Sequence, residues 1–336
     1  MHRCFLALAA SIAAAALAAV SPRPASAQDA APDALALETK IPLEQATGRI
    51  DHMAVDLARG RLFVAELGNN SVGVVDLRAN KLIRAISGLK EPQGVGYVPA
   101  TDTLYVANAR DGSVQLFRGE RYAPGDAVRL GSDADNIRVD AATSKLFVGY
   151  GGGGLAVIDP ASVSKAADIP LPGHPESFQL ARDGARIYVN VPAAGMVGVV
   201  DPATGRLIAR WALQNMAGNF AMALDETRGQ VIVAFRHPAK LVAFAAESGA
   251  IVASADTCDD IDDVFVDAKR ARLYASCGEG FVDVLDTTAT WRRLARVPTV
   301  AGARTSLFVP ELDRLYVAVR ASGAEPAAIW VFKPTP

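Results

Sequence analysis

A phrase of two short apolar runs joined by a polar turn, "RLFVAELGNNSVGVVDL" from Arg61, returns along this chain and limits its fold more than any other feature. It recurs as "TLYVANARDGSVQLF" from Thr103, "KLFVGYGGGGLAVID" from Lys145 and "RIYVNVPAAGMVGVVD" from Arg186. Three more copies are "QVIVAFRHPAKLVAF" from Gln230, "RLYASCGEGFVDVLD" from Arg272 and "RLYVAVRASGAEPAAIWVF" from Arg314. Successive copies of the seven start 41 to 44 residues apart, a period typical of one four-stranded propeller blade. Such a unit cannot bury its apolar faces alone, so neighbours must stack, and the stack must close or leave bare strand edges.

Inside each unit apolar and polar residues alternate with period two, with Val, Ile, Tyr and Phe in the runs and Gly, Asn, Asp and Pro between them. In the first unit this predicts strands A to D at Met53 to Val55, Leu62 to Ala65, Val72 to Asp76 and Leu82 to Ile86. Turns such as "DLARGR", "ARDGAR" and "DETRGQ" join A to B. The last copy, Thr305 to Phe332, supplies strands A, B and C but no D. The segment "LALETKIPLE", Leu35 to Glu44, resembles the missing strand, so the expected fold is an all-β, seven-bladed propeller whose N-terminal strand completes the last blade.

Arg3, an apolar run from Phe5 to Val20 and the small-residue site Ala25-Ser26-Ala27 read as a signal peptide over 1–27, followed by a short linker over 28–34 and one propeller domain over 35–336. The expected location is the periplasm or the exterior. The apolar run is shorter than the roughly 20 residues a membrane span needs. Cleavage removes Arg3 and Arg23 and no acidic residue, leaving 32 basic against 36 acidic side chains from the 34 and 36 of the whole chain. A net charge of that sign gives no general attraction to nucleic acid.

The "LYVAN" run at Leu104 to Asn108, the "VVDP" run at Val199 to Pro202, the repeat period and the leader together resemble the YVTN-repeat, YncE-like family of seven-bladed propellers. That resemblance implies the fold. It leaves function open, because the same architecture carries lactonases, lyases, haem proteins and binding modules.

The A-strand starts read Asp51-His52, Gln93-Gly94, Asp135-Asn136, Glu176-Ser177, Asn219-Phe220, Asp262-Asp263 and Arg304-Thr305-Ser306. In an up-and-down blade these positions lie at one mouth of the central channel, with the B-to-C turns. Asp51, His52, Asn136, Glu176, Asn219, Asp262, Asp263, Arg304 and Thr305 are therefore the candidate ligand-binding residues of an acidic, polar funnel. Asp51, Asn136, Glu176, Asn219, Asp262 and Asp263 offer the oxygen donors a divalent cation such as Ca²⁺ would take. The alternative is that polar residues there only solvate a wet channel.

His52, with Asp263, is the candidate for general-base chemistry, although strand alternation should let only one of Asp51 and His52 face inward. Arg304 with its two following hydroxyls suits a carboxylate or phosphate, or an ion pair with Asp262 or Asp51. His174 and His237, each before or beside proline, read as loop residues. "GYGGGG" at Gly149 to Gly154 formally matches a dinucleotide fingerprint but sits between two strands with no helix to follow. Cys258 and Cys277 are the only cysteines beyond the leader and are expected to form a disulfide in an oxidising compartment.

These features support a monomeric exported propeller that binds a small polar ligand, a cation or a partner protein at its channel mouth. The alternative is a metal-assisted hydrolase or lyase, implied by similarity to lactonase propellers, in which channel carboxylates and amides hold a divalent cation. A third reading, nucleic-acid binding, would need a local basic patch such as Lys269, Arg270 and Arg272 with Arg292, Arg293 and Arg296.

Overall fold

The computed structural model describes Met1 and residues 34–336; the expected leader and nearly all of the expected linker lie outside the described residues. Seven four-stranded antiparallel sheets are formed. The first blade comprises Met53–Asp56, Arg61–Glu66, Ser71–Asp76 and Lys81–Ser87, within a residue or two of the strands expected from alternation. Strand A of each blade packs beside strand A of the next, and the seventh, Thr305–Val309, packs beside the first, which closes the ring around a central channel.

Burial follows from position in the blade. The B and C strands are covered on both faces by neighbouring blades, so Thr103–Asn108 and Ser71–Asp76 are almost wholly buried. D strands such as Lys81–Ser87 and Ser164–Pro170 form the outer rim and are mostly exposed. The apolar core is accordingly divided into packets, each between two consecutive blades. One joins Phe63, Val74 and Phe117 of the first two blades, and another joins Trp211, Val231 and Phe244 of the fourth and fifth.

Closure is made by the N-terminal strand. Leu35–Pro42 pairs antiparallel with Ala328–Pro334, with Leu35 opposite Pro334 and Pro42 opposite Ala328, as the missing D strand. Ile41, Leu43, Ile329 and Val331 then pack with Leu62 and Val64 of the first blade.

At the opposite end from the strand-A starts, the A-to-B turns are tied between blades. Arg59 holds Asp56 in its own turn at 3.0 Å and Asp102 of the next blade at 2.7 Å. Arg270 repeats the device with Asp267 at 2.9 Å and Asp313 at 2.7 Å. The expected cysteine pair is bonded, Cys258 to Cys277, with Cα atoms 5.9 Å apart. Asp267 pairs with Arg272 across the turn, and a register shift between Ile261 and Asp263 sets Cys277 opposite Ile261.

Candidate functional site

The innermost strands begin irregularly. Asp51 N–H donates to the Ala65 carbonyl at 2.7 Å while Ala65 N–H donates to the His52 carbonyl at 3.0 Å, so two residues face one. Glu176 and Ser177 face Asn190 in the same way. The A-to-B register also shifts between Pro92 and Val95, Ala134 and Ile137, and Asn219 and Met222. A bulge interrupts the in-and-out alternation of side chains. The expectation that only one of Asp51 and His52 could face inward is therefore corrected: His52 Nε2 lies 3.6 Å from Asp51 Oδ1 and 3.9 Å from Asp135 Oδ1.

Above His52 the mouth is a layer of paired charges and not a bare acidic funnel. Asp51, 1% exposed, has Arg49 at 2.6 Å. Asp262 lies between Arg236 at 2.7 Å and Arg304 at 3.0 Å, and Arg304 also donates to both oxygens of Asp260 at 2.7 and 2.9 Å. His174 is part of the layer: its Nδ1 is 2.7 Å from the Gly151 carbonyl and its Nε2 is 3.8 Å from Asp135. In the same glycine-rich turn a Cβ on Gly153, at φ +149, would meet the Leu171 carbonyl at 2.3 Å, so the turn and the chain before His174 pass closer than a side chain would allow.

Several expected ligand residues are turned to other work. Asn219, with no exposed surface, donates from Nδ2 to Asn190 at 3.1 Å and to the Met196 carbonyl at 3.0 Å. Asn136 accepts from Arg138 at 3.3 Å, and the Thr305 hydroxyl donates to the Ile50 carbonyl at 3.4 Å. Asn219 and Asn136 thus have their amides engaged within the protein, and among the described residues no three His, Cys, Asp or Glu side chains are grouped to hold a metal ion. The supposed basic patch is also spent. Arg293 and Arg296 hold Asp283, Arg292 holds Asp286, Lys269 and Arg270 hold Asp313, and Arg272 donates to the Thr335 carbonyl.

Crowding sets the proton affinities. Burial pushes Asp51 up to about 6 against the pull of His52 and Arg49. Burial also pushes Asp263 up to about 7, against His52 and the Ser306 N–H, which donates to it at 2.8 Å. Glu176 is pushed up to about 7 by burial and by Asp135. For Asp135 burial acts the same way, but His174 and His52 outweigh it and hold it below the usual range. Burial disfavours charge on the imidazoles, yet Asp135 and the Gly151 carbonyl lift His174 to about 9, and Asp51, Asp263 and Asp135 raise His52.

Asp51, Asp263, Glu176 and His174 all bind their protons more tightly folded than unfolded, so each contributes stability that is complete below its unfolded value and lost as pH rises through its folded one. The melting temperature is expected to fall from about pH 4.5, where the three carboxyl groups begin to lose their advantage, to about pH 9, where His174 has lost its own. Differential scanning calorimetry checks this, and a flat or rising trend would contradict it.

Below the charged layer lies a cavity of about 560 Å³ bounded by residues from the A strands of all seven blades. One end carries His52, Arg138, Asp263 and Ser306; the walls are largely Val, Ile, Leu, Ala and Phe; the other end reaches Val266, Phe308 and Pro310 at the A-to-B turns. There it is continuous with surface grooves that share Leu224, Phe308 and Pro310, and Gln179 and Leu224.

Arg138 was not among the residues singled out from the sequence. Its signal was present as a lone guanidinium between Ile137 and Val139 in an inner strand, where an apolar side chain is ordinary.

No protein-family model matches the chain, and no curated protein matches it. Among solved structures, a chain of Kuenenia stuttgartiensis hydrazine synthase superimposes with a TM-score of 0.74 over 83% of this chain and 98% of that one, at 18% identity. A likeness at that identity shows the propeller fold alone.

Proposed function

We propose that this propeller is a binding module that takes a small, mostly apolar molecule into its central cavity, with a polar head directed at His52, Arg138 and Asp263. The observation that carries this reading is the cavity itself, about 560 Å³ with apolar walls and polar groups gathered at one end, which matches the size and character of small-molecule sites. The paired charges at the strand-A mouth make the A-to-B face the route of access. The leader-like sequence at residues 1–27 and the YVTN-type repeats support an exported protein of the YncE-like kind, acting in the periplasm. The disulfide fits an oxidising compartment, and no helix among the described residues is long and apolar enough to cross a membrane.

Leu224 is half-buried where the cavity meets the grooves. Leu224→Trp is expected to block access while leaving the blades intact. In a fragment screen followed by ligand-observed NMR, compounds that bind the wild type should lose at least about tenfold in affinity for this variant. Hits that bind both proteins equally, or no hits at all, would remove the cavity as the site.

A further inference from the structure

The polar end of the cavity holds an ion without a counter-ion. Among the described residues Arg138 makes no ion pair: its guanidinium donates to Asn136 Oδ1 at 3.3 Å, to its neighbour's carbonyl on Ile137 at 3.0 Å and to Ser177 Oγ at 3.4 Å. All three acceptors are neutral, and two of the contacts are long. The ring of Phe178 lies 5.6 Å from the guanidinium carbon. Three arginines of the charged layer above, in contrast, each have a carboxylate within 3.3 Å: Arg49 has Asp51, and Arg236 and Arg304 share Asp260 and Asp262.

Arg138 is half-buried, and a guanidinium withdrawn even in part from water is costly unless an anion answers it. Burial accordingly lowers the proton affinity of Arg138, against the attraction of Asp263 and Asp135. Asp263 is a poor counter-ion, because its own burial favours the protonated form and one of its oxygens already accepts the Ser306 N–H. The site thus leaves the Arg138 guanidinium without a paired carboxylate at the place where a ligand's head would sit.

We propose that the ligand class is the small monocarboxylic acid with an apolar body, its carboxylate paired with Arg138 and its body lying along the Val, Leu and Phe wall of the cavity. This deepens the binding reading above and rests on it. A planar carboxylate matches the forked donors of a guanidinium, which a point anion does not exploit. Dianions such as phosphate esters fit poorly, because Asp263, Asp135 and Asp51 stand close behind His52. A cationic head would meet Arg138 directly.

The test uses three probes of one shape and different charge: phenylpropionate, phenylpropionamide and phenylpropylamine, titrated calorimetrically into the full-length mature protein. Phenylpropionate should bind at least about tenfold more tightly than the amide, the loss expected when one charge-assisted hydrogen bond is removed, and the amine should bind weakest. In Arg138→Met the carboxylate should lose that preference while amide binding persists. Equal binding of acid and amide, or preference for the amine, would overturn the carboxylate assignment and leave the cavity reading standing. If none of the three binds and Leu224→Trp is also without effect on screened fragments, the cavity reading itself falls. Should Arg138→Met fail to fold, the ranking of the three probes on the wild type still decides the matter.

Discussion

A chain shortened to begin at Gln45, and so lacking the strand Leu35–Pro42, will not melt as a closed ring. Leu35, Ile41 and Leu43 are 2%, 0% and 1% exposed. At about 1.5–3 kcal/mol for each fully buried large apolar side chain, the three together approach the whole net stability of an ordinary domain, about 5–15 kcal/mol. Their loss also leaves Ala328–Pro334 as an unpaired edge with Ile329 and Trp330 uncovered, a template for aggregation. The expected result is a broad, early melt by circular dichroism and oligomers by size exclusion, both reversed when a peptide spanning residues 34–44 is added. Ile41→Asp should do nearly as much damage, because it buries an unpaired charge between the seventh and first blades. Lys40→Ala is the control. Lys40 pairs with Glu325 at 2.7 Å on the surface, and losing a pair of that kind costs less than about 1 kcal/mol. A shortened chain that melts like the full one would show that the ring does not depend on this strand.

The second large effect is expected at the disulfide. Replacing Cys258 and Cys277 together by Ser should cost about 3 kcal/mol and lower the melting temperature by about 5–10 °C, as removal of a cross-link over a short loop does. The loop here spans 19 residues. It carries Asp260, which holds Arg304 and Arg236 at the channel mouth, and Cys258 N–H donates to the fully buried Asp283 at 2.8 Å. Hydrogen exchange should accordingly speed up in residues 257–262 before it does so elsewhere in the sixth blade. A double variant with an unchanged melting temperature and exchange pattern would show that packing alone holds this corner.

The architecture was legible because it is repetitive: seven copies of one phrase fix the blade count, and the absence of a fourth strand after Phe332 points to Leu35–Glu44 as its replacement. The cysteine pair was legible from its even count. The site was legible only as a region. Sequence alternation assumes an unbroken ladder, and the bulges at Asp51-His52, Glu176-Ser177, Asn219 to Met222 and Ile261 to Asp263 break it where the inner strands begin. Their effect is to bring Asp51 and His52 together and to send Asn219 into the protein. Nor does charge counting reveal pairing between blades. Arg236 and Arg304 come from the fifth and seventh blades to neutralise Asp260 and Asp262 beside the sixth, a match made by the ring and not by any local spacing. Arg138 escaped notice because a single charged residue inside an inner strand reads as an interruption until the cavity beside it is seen.

The closing strand also sets an order in time. Lys40 and its partner Glu325 are 285 residues apart, so a strand made ahead of all seven A strands is among the last to be satisfied. At roughly 5–20 residues per second, synthesis keeps it waiting for about 15–60 s. Until Ala328–Pro334 is in place the other blades can assemble against their neighbours, while the first blade has a bare flank and Leu35, Ile41 and Leu43 have nothing to cover. Closure is therefore gated by the strand Ala328–Pro334, and a molecule in which that strand has not yet formed has six finished blades and no ring.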